Sequence, residues 1–192
     1  MTDPLPRGRG TRVLAVANQK GGVGKTTTAI NLGTALAAID QKVLLVDLDP
    51  QGNASTGLGI ERTAREINTY HVLIGEADVL DATQETEIPR LDVVASGVDL
   101  YGAEVELVGV ERREYRLRDA LAHGLGAYDY VLIDCPPALG LLTINALTAA
   151  QAVLVPLQCE FYALEGMSQL MSTIESVRAA FNPSLEIQGI VL

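Results

Sequence analysis

Short runs of Val, Leu and Ile recur along the chain, and the stretches between them return an apolar residue every three or four positions. The runs at 13–18 (VLAVAN), 42–49 (KVLLVDLD), 91–96 (LDVVAS), 129–134 (DYVLID) and 152–157 (AVLVPL) are nearly continuous in apolar character. Strands covered on both faces read this way, so the pattern predicts a parallel sheet. Ala29, Leu32, Leu36 and Ile39 are spaced three, four and three, which predicts one apolar helix face. Helices are also predicted over 115–125, 141–150 and 164–181, the last stopped by Asn182-Pro183. Strand–helix alternation of this kind predicts an α/β domain, a doubly wound, mostly parallel sheet flanked by helices.

The chain has 192 residues, enough for one sizeable core. Residues 1–11 are polar with Pro and Gly and have no apolar signal-peptide core, so they read as a flexible lead-in to a domain over 12–192. The final stretch, LEIQGIVL, reads as another strand, and a domain rarely ends on one. The domain is therefore expected to be a fragment, incomplete at its C-terminus. Net charge is −10, which argues against a nucleic-acid binder unless a local basic patch exists. Cys135 and Cys159 lie far apart without a CxxC pair or a histidine cluster. That excludes a disulfide framework and points to two reduced, buried thiols in a cytoplasmic protein. No apolar run approaches the length of a membrane span.

The candidate chemistry starts at NQKGGVGKTTT, residues 18–28, between a predicted strand and a predicted helix. Glycines let backbone N–H groups converge on phosphate oxygens, and a helix N-terminus adds partial positive charge. Gly21, Gly22, Val23, Gly24, Lys25, Thr26 and Thr27 form the candidate site for ATP with Mg²⁺. Lys25 would meet the β and γ phosphates, and the Thr26 hydroxyl the Mg²⁺. The usual phosphate-loop pattern, GxxxxGK[ST], fails by one residue, because Gln19 stands where the first glycine belongs. Asp47 and Asp49 end one predicted strand and, two apart, point to one side. Asp134 ends another, followed by Pro136-Pro137, an arrangement suited to holding Mg²⁺ through water.

Lys20-Gly21-Gly22-Val23-Gly24-Lys25-Thr26 resembles the deviant Walker A signature of the ParA/MinD superfamily of P-loop ATPases. With VLLVDLDPQGNAST (43–56), YVLIDCPPALG (130–140), GLLTINALTAA (140–150) and VPLQCEFYALEGMSQL (155–170), the chain is most similar to the ParA/Soj partition branch. The resemblance implies a P-loop NTPase fold and an ATPase. Lys20 would reach the partner's nucleotide in an ATP-dependent homodimer. Asp49 would orient the attacking water, Asp47 would support Mg²⁺ or the loop, and Asn145 would lie near the phosphates or a switch region. It also implies a ParB-type centromere-binding partner that stimulates hydrolysis, nonspecific DNA binding on the nucleoid, and no membrane attachment. Much of the adenine pocket and the basic DNA-binding residues would lie beyond residue 192. Alternatives are a membrane-associated, MinD-like ATPase that positions the division site, or a P-loop amidotransferase or ligase such as cobyrinate or dethiobiotin synthases. A nitrogenase iron-protein type would need cysteines converging on a dimer axis, and Cys135 and Cys159 lack suitable companions.

Overall fold

A computed structural model describes residues 10–123, 125–158 and 163–192. Seven strands form one sheet: β1 (Arg12–Val16), β2 (Val43–Asp47), β3 (Thr83–Glu85), β4 (Leu91–Val94), β5 (Tyr130–Asp134), β6 (Ala152–Pro156) and β7 (Glu186–Val191). Their order is β3-β4-β2-β5-β1-β6-β7. All neighbours are parallel except the short edge pair β3–β4. This is the doubly wound, mostly parallel architecture expected.

Period-2 alternation divides the central strands between two cores. Val13 and Ala15 of β1, Leu44 and Val46 of β2, and Val131 and Ile133 of β5 face one side. Leu14, Val16, Val43, Leu45 and Leu132 face the other. The second face is covered by α1 (Lys25–Ala38), which buries Ala29, Gly33 and Ala37. The predicted face of Ala29, Leu32, Leu36 and Ile39 is therefore rotated. Leu32 and Leu36 flank the contact, and Ile39 is 59% exposed. The reason is distance: a Cβ at Gly33 would stand 3.2 Å from Leu91 Cδ1, so a seam of small residues lets α1 lie close on the sheet.

The first face is covered by α3 (Thr69–Ile74), α4 (Leu100–Glu106), α5 (Arg116–Leu121), α6 (Leu141–Ala149) and α7 (Ala163–Ala180). The short α2 (Asn53–Gly57), α3, α4 and β3 were not predicted, being too short for their periodicity to register. Among the described residues no helix is long and apolar enough to cross a membrane. Cys135 is a buried free thiol that donates to the Ile133 carbonyl (3.8 Å), and burial holds its pKa high; Cys159 lies outside the described residues.

Candidate functional site

β1, β2 and β5 lie side by side and end level, with Asp47 opposite Asp134 in the register. Their C-terminal ends carry the three segments that make the site. The first is the glycine loop between β1 and α1. Asn18, almost fully buried, ties the loop down: its Nδ2 donates to the Pro156 carbonyl (2.6 Å), and its Oδ1 accepts from the Lys20 N–H (3.1 Å). Gly22 (φ +77°) and Gly24 (φ +88°) take left-handed backbone that side chains rarely adopt. A Cβ at Gly21, Gly22 or Gly24 would meet nothing within 4 Å, so the loop faces open space rather than packed protein. A glycine run kept for internal packing would be in contact; this one is shaped for something that approaches from outside.

Lys25, the first residue of α1, is 7% exposed, and its Nζ donates to the Lys20 carbonyl (3.1 Å). Burial lowers its pKa, while Asp134, Cys135 and Asp49 pull it back up. Asp134 at the end of β5 is fully buried, and among the described residues neither of its carboxylate oxygens has a hydrogen-bond partner. Burial pushes its pKa up to about 7; Asp47 and Asp49 act in the same direction, and Thr26 and Lys25 oppose them. An orphaned buried carboxylate beside a threonine hydroxyl fits a hydrated divalent cation. Among the described residues no cluster of three His, Cys, Asp or Glu could cage a metal. Mg²⁺ fits that setting, because it is usually held by one or two protein oxygens, water and substrate phosphates.

The raised pKa of Asp134 has a thermal consequence. A carboxyl whose pKa rises on folding favours the fold when protonated. That contribution is complete below about pH 4, the unfolded value, and is lost as pH rises through about 7. Without nucleotide, the melting temperature of Asp134→Asn should therefore fall less than that of the wild type between about pH 5 and pH 8. Parallel melting curves across that range would contradict the assignment.

The second segment follows β2. Asp47 is fully buried and its carboxylate is engaged: Oδ2 accepts from the Ser55 N–H (2.8 Å) and hydroxyl (2.6 Å), and Oδ1 from the Asp49 N–H (3.2 Å). Of the two roles open to it, these bonds serve the loop. Asp49 is 8% exposed, and its Oδ1 accepts from the Gln51 N–H (3.0 Å). The loop is clamped from behind by Arg65, whose buried guanidinium donates to the carbonyls of Ser96 (2.9 Å) and Ile60 (2.7 Å) and to Thr56 Oγ1 (2.8 Å). Gly52 (φ +64°) leaves room for that clamp, since a Cβ there would overlap Arg65 Nη1 and lie 2.9 Å from the Ser96 carbonyl. The base of this loop is held by the buried carboxylate of Asp47 and the buried guanidinium of Arg65.

The third segment is 136–140, held by a Thr143 hydroxyl bond to the Ala138 carbonyl (2.6 Å). The three segments enclose a cavity of about 690 Å³. Gly21, Gly22, Gly24, Lys25, Thr26, Thr27 and Asp49 line it, as do Tyr101 and Glu104 of α4. Val23 is buried behind the loop. Lys20 is half-buried at the rim, outside the lining. Asn145, expected near the phosphates or a switch region, points elsewhere. It accepts from the Leu117 N–H (3.1 Å) and donates to the carbonyls of Arg113 (2.9 Å) and Leu141 (3.0 Å), which pins α6 to the start of α5. Arg65, Asn18, Ser55 and Tyr101 were not foreseen. In sequence, Arg65 is one more charge in a polar stretch.

Comparison with known proteins accords with this geometry. An AAA-domain family model (AAA_31) matches residues 11–187. The chain is 67% identical over 183 residues to the chromosome partitioning protein ParA of Caulobacter vibrioides, covering 94% of this chain and 68% of that protein. It is 54% identical over 181 residues to the sporulation initiation inhibitor protein Soj of Bacillus subtilis, covering 94% and 72%. Among solved structures, a Mycobacterium smegmatis protein described as cobyrinic acid a,c-diamide synthase, with bound ATP analog and magnesium, superposes with a TM-score of 0.91. It shares 46% identity and covers 94% of this chain and 74% of that one.

Proposed function

The chain belongs to the ParA/Soj family of chromosome-partitioning proteins, and from that premise we propose that it is an ATP-driven dimerising switch for DNA segregation. One observation carries the reading. A buried lysine, Lys25, and a buried carboxylate without a hydrogen-bond partner among the described residues, Asp134, lie close enough for each to act on the other's charge, behind an open glycine loop. ATP and Mg²⁺ are the ligands such a site takes, as in the M. smegmatis structure.

The Gly21–Gly24 backbone and the N-terminus of α1 hold the phosphates, with Lys25 bridging β and γ. Thr26 and Asp134 would hold a hydrated Mg²⁺, which would supply positive charge beside the phosphate oxygens. Asp49 orients a water for in-line attack on the γ-phosphorus; the bond to the β–γ bridging oxygen breaks, giving ADP and phosphate. Asp47 acts on this chemistry by fixing the Asp49 loop. Lys20, at the rim, contributes its ammonium across a face-to-face dimer, where two acidic nucleotides need a cation between them. The dimer binds DNA through phosphate contacts, and a ParB-type partner stimulates hydrolysis and release on the nucleoid.

The deciding experiment is the solution mass by light scattering of Asp49→Ala, first with Mg-ATP and then with Mg-ADP. A dimer with ATP alone is expected. Adding Lys20→Ala should return the protein to monomer while Mg-ATP still binds. A monomer in both nucleotides, from folded and ATP-bound protein, would overturn the switch. The synthetase-like name of the M. smegmatis structure sets the competing outcome, which is ATP turnover only when a small carboxylic-acid substrate is added. The higher identity to ParA favours turnover without one.

A further inference from the structure

The loop that carries Asp49 runs between two cavities. Pro50 and Gln51 line both the nucleotide cavity in front and a second one, of about 260 Å³, behind. A segment with space on either side is placed by its hydrogen bonds more than by packing. Several of those bonds converge on one side chain.

Arg65 is 6% exposed and lines the rear cavity, and all three of its guanidinium nitrogens donate. Nε and Nη2 reach the Ile60 carbonyl (3.3 and 2.7 Å), Nη2 also reaches Thr56 Oγ1 (2.8 Å), and Nη1 reaches the carbonyls of Ser96 (2.9 Å) and Gly52 (3.4 Å). Gly52, Thr56 and Ile60 lie in or beside the loop and the short α2, whereas Ser96 follows β4. The same strand end meets the loop a second time: the Ser96 N–H donates to Ser55 Oγ (2.9 Å), and that hydroxyl donates to Asp47 (2.6 Å). Arg65 is itself fixed, because its carbonyl accepts from the buried Asn68 Nδ2 (3.0 Å). The path from this clamp to Asp49 is short. The Gly52 N–H donates to the Asp49 carbonyl (2.8 Å), and the Gln51 N–H to Asp49 Oδ1 (3.0 Å).

We propose that Arg65 is a positioning residue for hydrolysis: by tying the loop to the end of β4 it sets where the Asp49 carboxylate stands. Among the described residues it is ion-paired with no carboxylate; Asp47 acts on it through charge. What the position demands is therefore the planar fork of five N–H donors, and a lysine ammonium, a point donor with three, cannot span the same acceptors. The kinetic half of the proposal rests on the reading of Asp49 above; the hold on the loop does not.

Hydrogen exchange of the whole nucleotide-free protein, read amide by amide by NMR, tests the hold. Arg65→Lys should speed exchange at Gln51 and Gly52 several-fold, since both amides donate to Asp49. Tyr128→Phe, which removes a bond to Asp92 (2.7 Å) away from the loop, should not. Melting curves check that both are folded. Thr56→Val deletes one arm of the clamp at an exposed position and should show the same pattern to a smaller extent, so the comparison survives a poorly folded Arg65→Lys. Equal acceleration in the Tyr128 variant would make Arg65 a general stabiliser and overturn the proposal, as would unchanged exchange in folded Arg65→Lys. Phosphate release tests the consequence. At saturating Mg-ATP, Arg65→Lys should lower kcat about 10- to 100-fold, the effect of misplacing a positioned group, with KM little changed. In an Asp49→Ala background the same substitution should lower the residual rate by less than about twofold, because its effect runs through Asp49. Losses that multiply would overturn that route, and so would a raised KM with kcat intact. A wild type that releases no phosphate, or an Asp49→Ala variant that releases it normally, overturns the reading of Asp49 and leaves the exchange comparison to decide whether Arg65 holds the loop.

Discussion

Replacing Lys25 with alanine is expected to weaken Mg-ATP binding by roughly 30- to 3,000-fold. Removing one partner of a buried, hydrogen-bonded charge pair costs about 2–5 kcal/mol, and about 1.4 kcal/mol is tenfold in affinity. Lys25 qualifies because it is buried at the helix N-terminus, where an ammonium has little water to offset the loss of a phosphate. The same burial lowers its pKa, so the ammonium is an unfavourable charge that the neighbouring carboxylates only partly offset. Its removal relieves that burial cost but also takes a cation from Asp134 and Asp49, so the nucleotide-free variant should still fold. Calorimetry with Mg-ATP, alongside a melting curve, reads both effects. Near-normal affinity in a folded variant would contradict the assignment of the loop.

Asp49→Ala is expected to bind Mg-ATP with little change and to lower turnover about 100- to 10,000-fold, the range for losing a group that positions or activates a water. The structure separates this residue from its neighbour. Asp47 has its oxygens occupied by Ser55 and by the Asp49 N–H. Asp49 accepts from the Gln51 N–H and lines the cavity. Its loss leaves the Arg65 clamp in place, so the fall should appear in kcat and not in KM. Phosphate release at saturating Mg-ATP is the measurement. Undiminished release would move the water-orienting role to another residue.

The strands were legible because each central one is buried on both faces and shows as an unbroken apolar run, as β2 does. The glycine loop was legible because its spacing is tied to chemistry. Other features depend on contacts that no local pattern records. The buried side of α1 is set by how closely Gly33 approaches Leu91, and the sequence period alone pointed to the larger Leu32 and Leu36. The surroundings of Asp47 and Asp49 could not be told apart from a spacing that puts both on one side of a strand; Asp47 alone accepts from Ser55 among the described residues. Arg65 reaches Ser96 across 31 residues, a pairing that only the folded sheet creates.

The strand order also constrains how the protein is made. β1 leaves the ribosome before the other six described strands but has no partner nearby in sequence. Arg12 pairs with Tyr130, and Leu14 with Ala152. The glycine loop that β1 carries is braced by the Pro156 carbonyl through Asn18. A nascent chain that has displayed its entire phosphate-binding motif therefore cannot yet hold nucleotide. Competence waits until β5 and β6 have emerged and slotted in on either side, and closing such distant contacts is slow. ATP would then bind late in synthesis, acting on a sheet already closed around β1 and not as a template for its assembly.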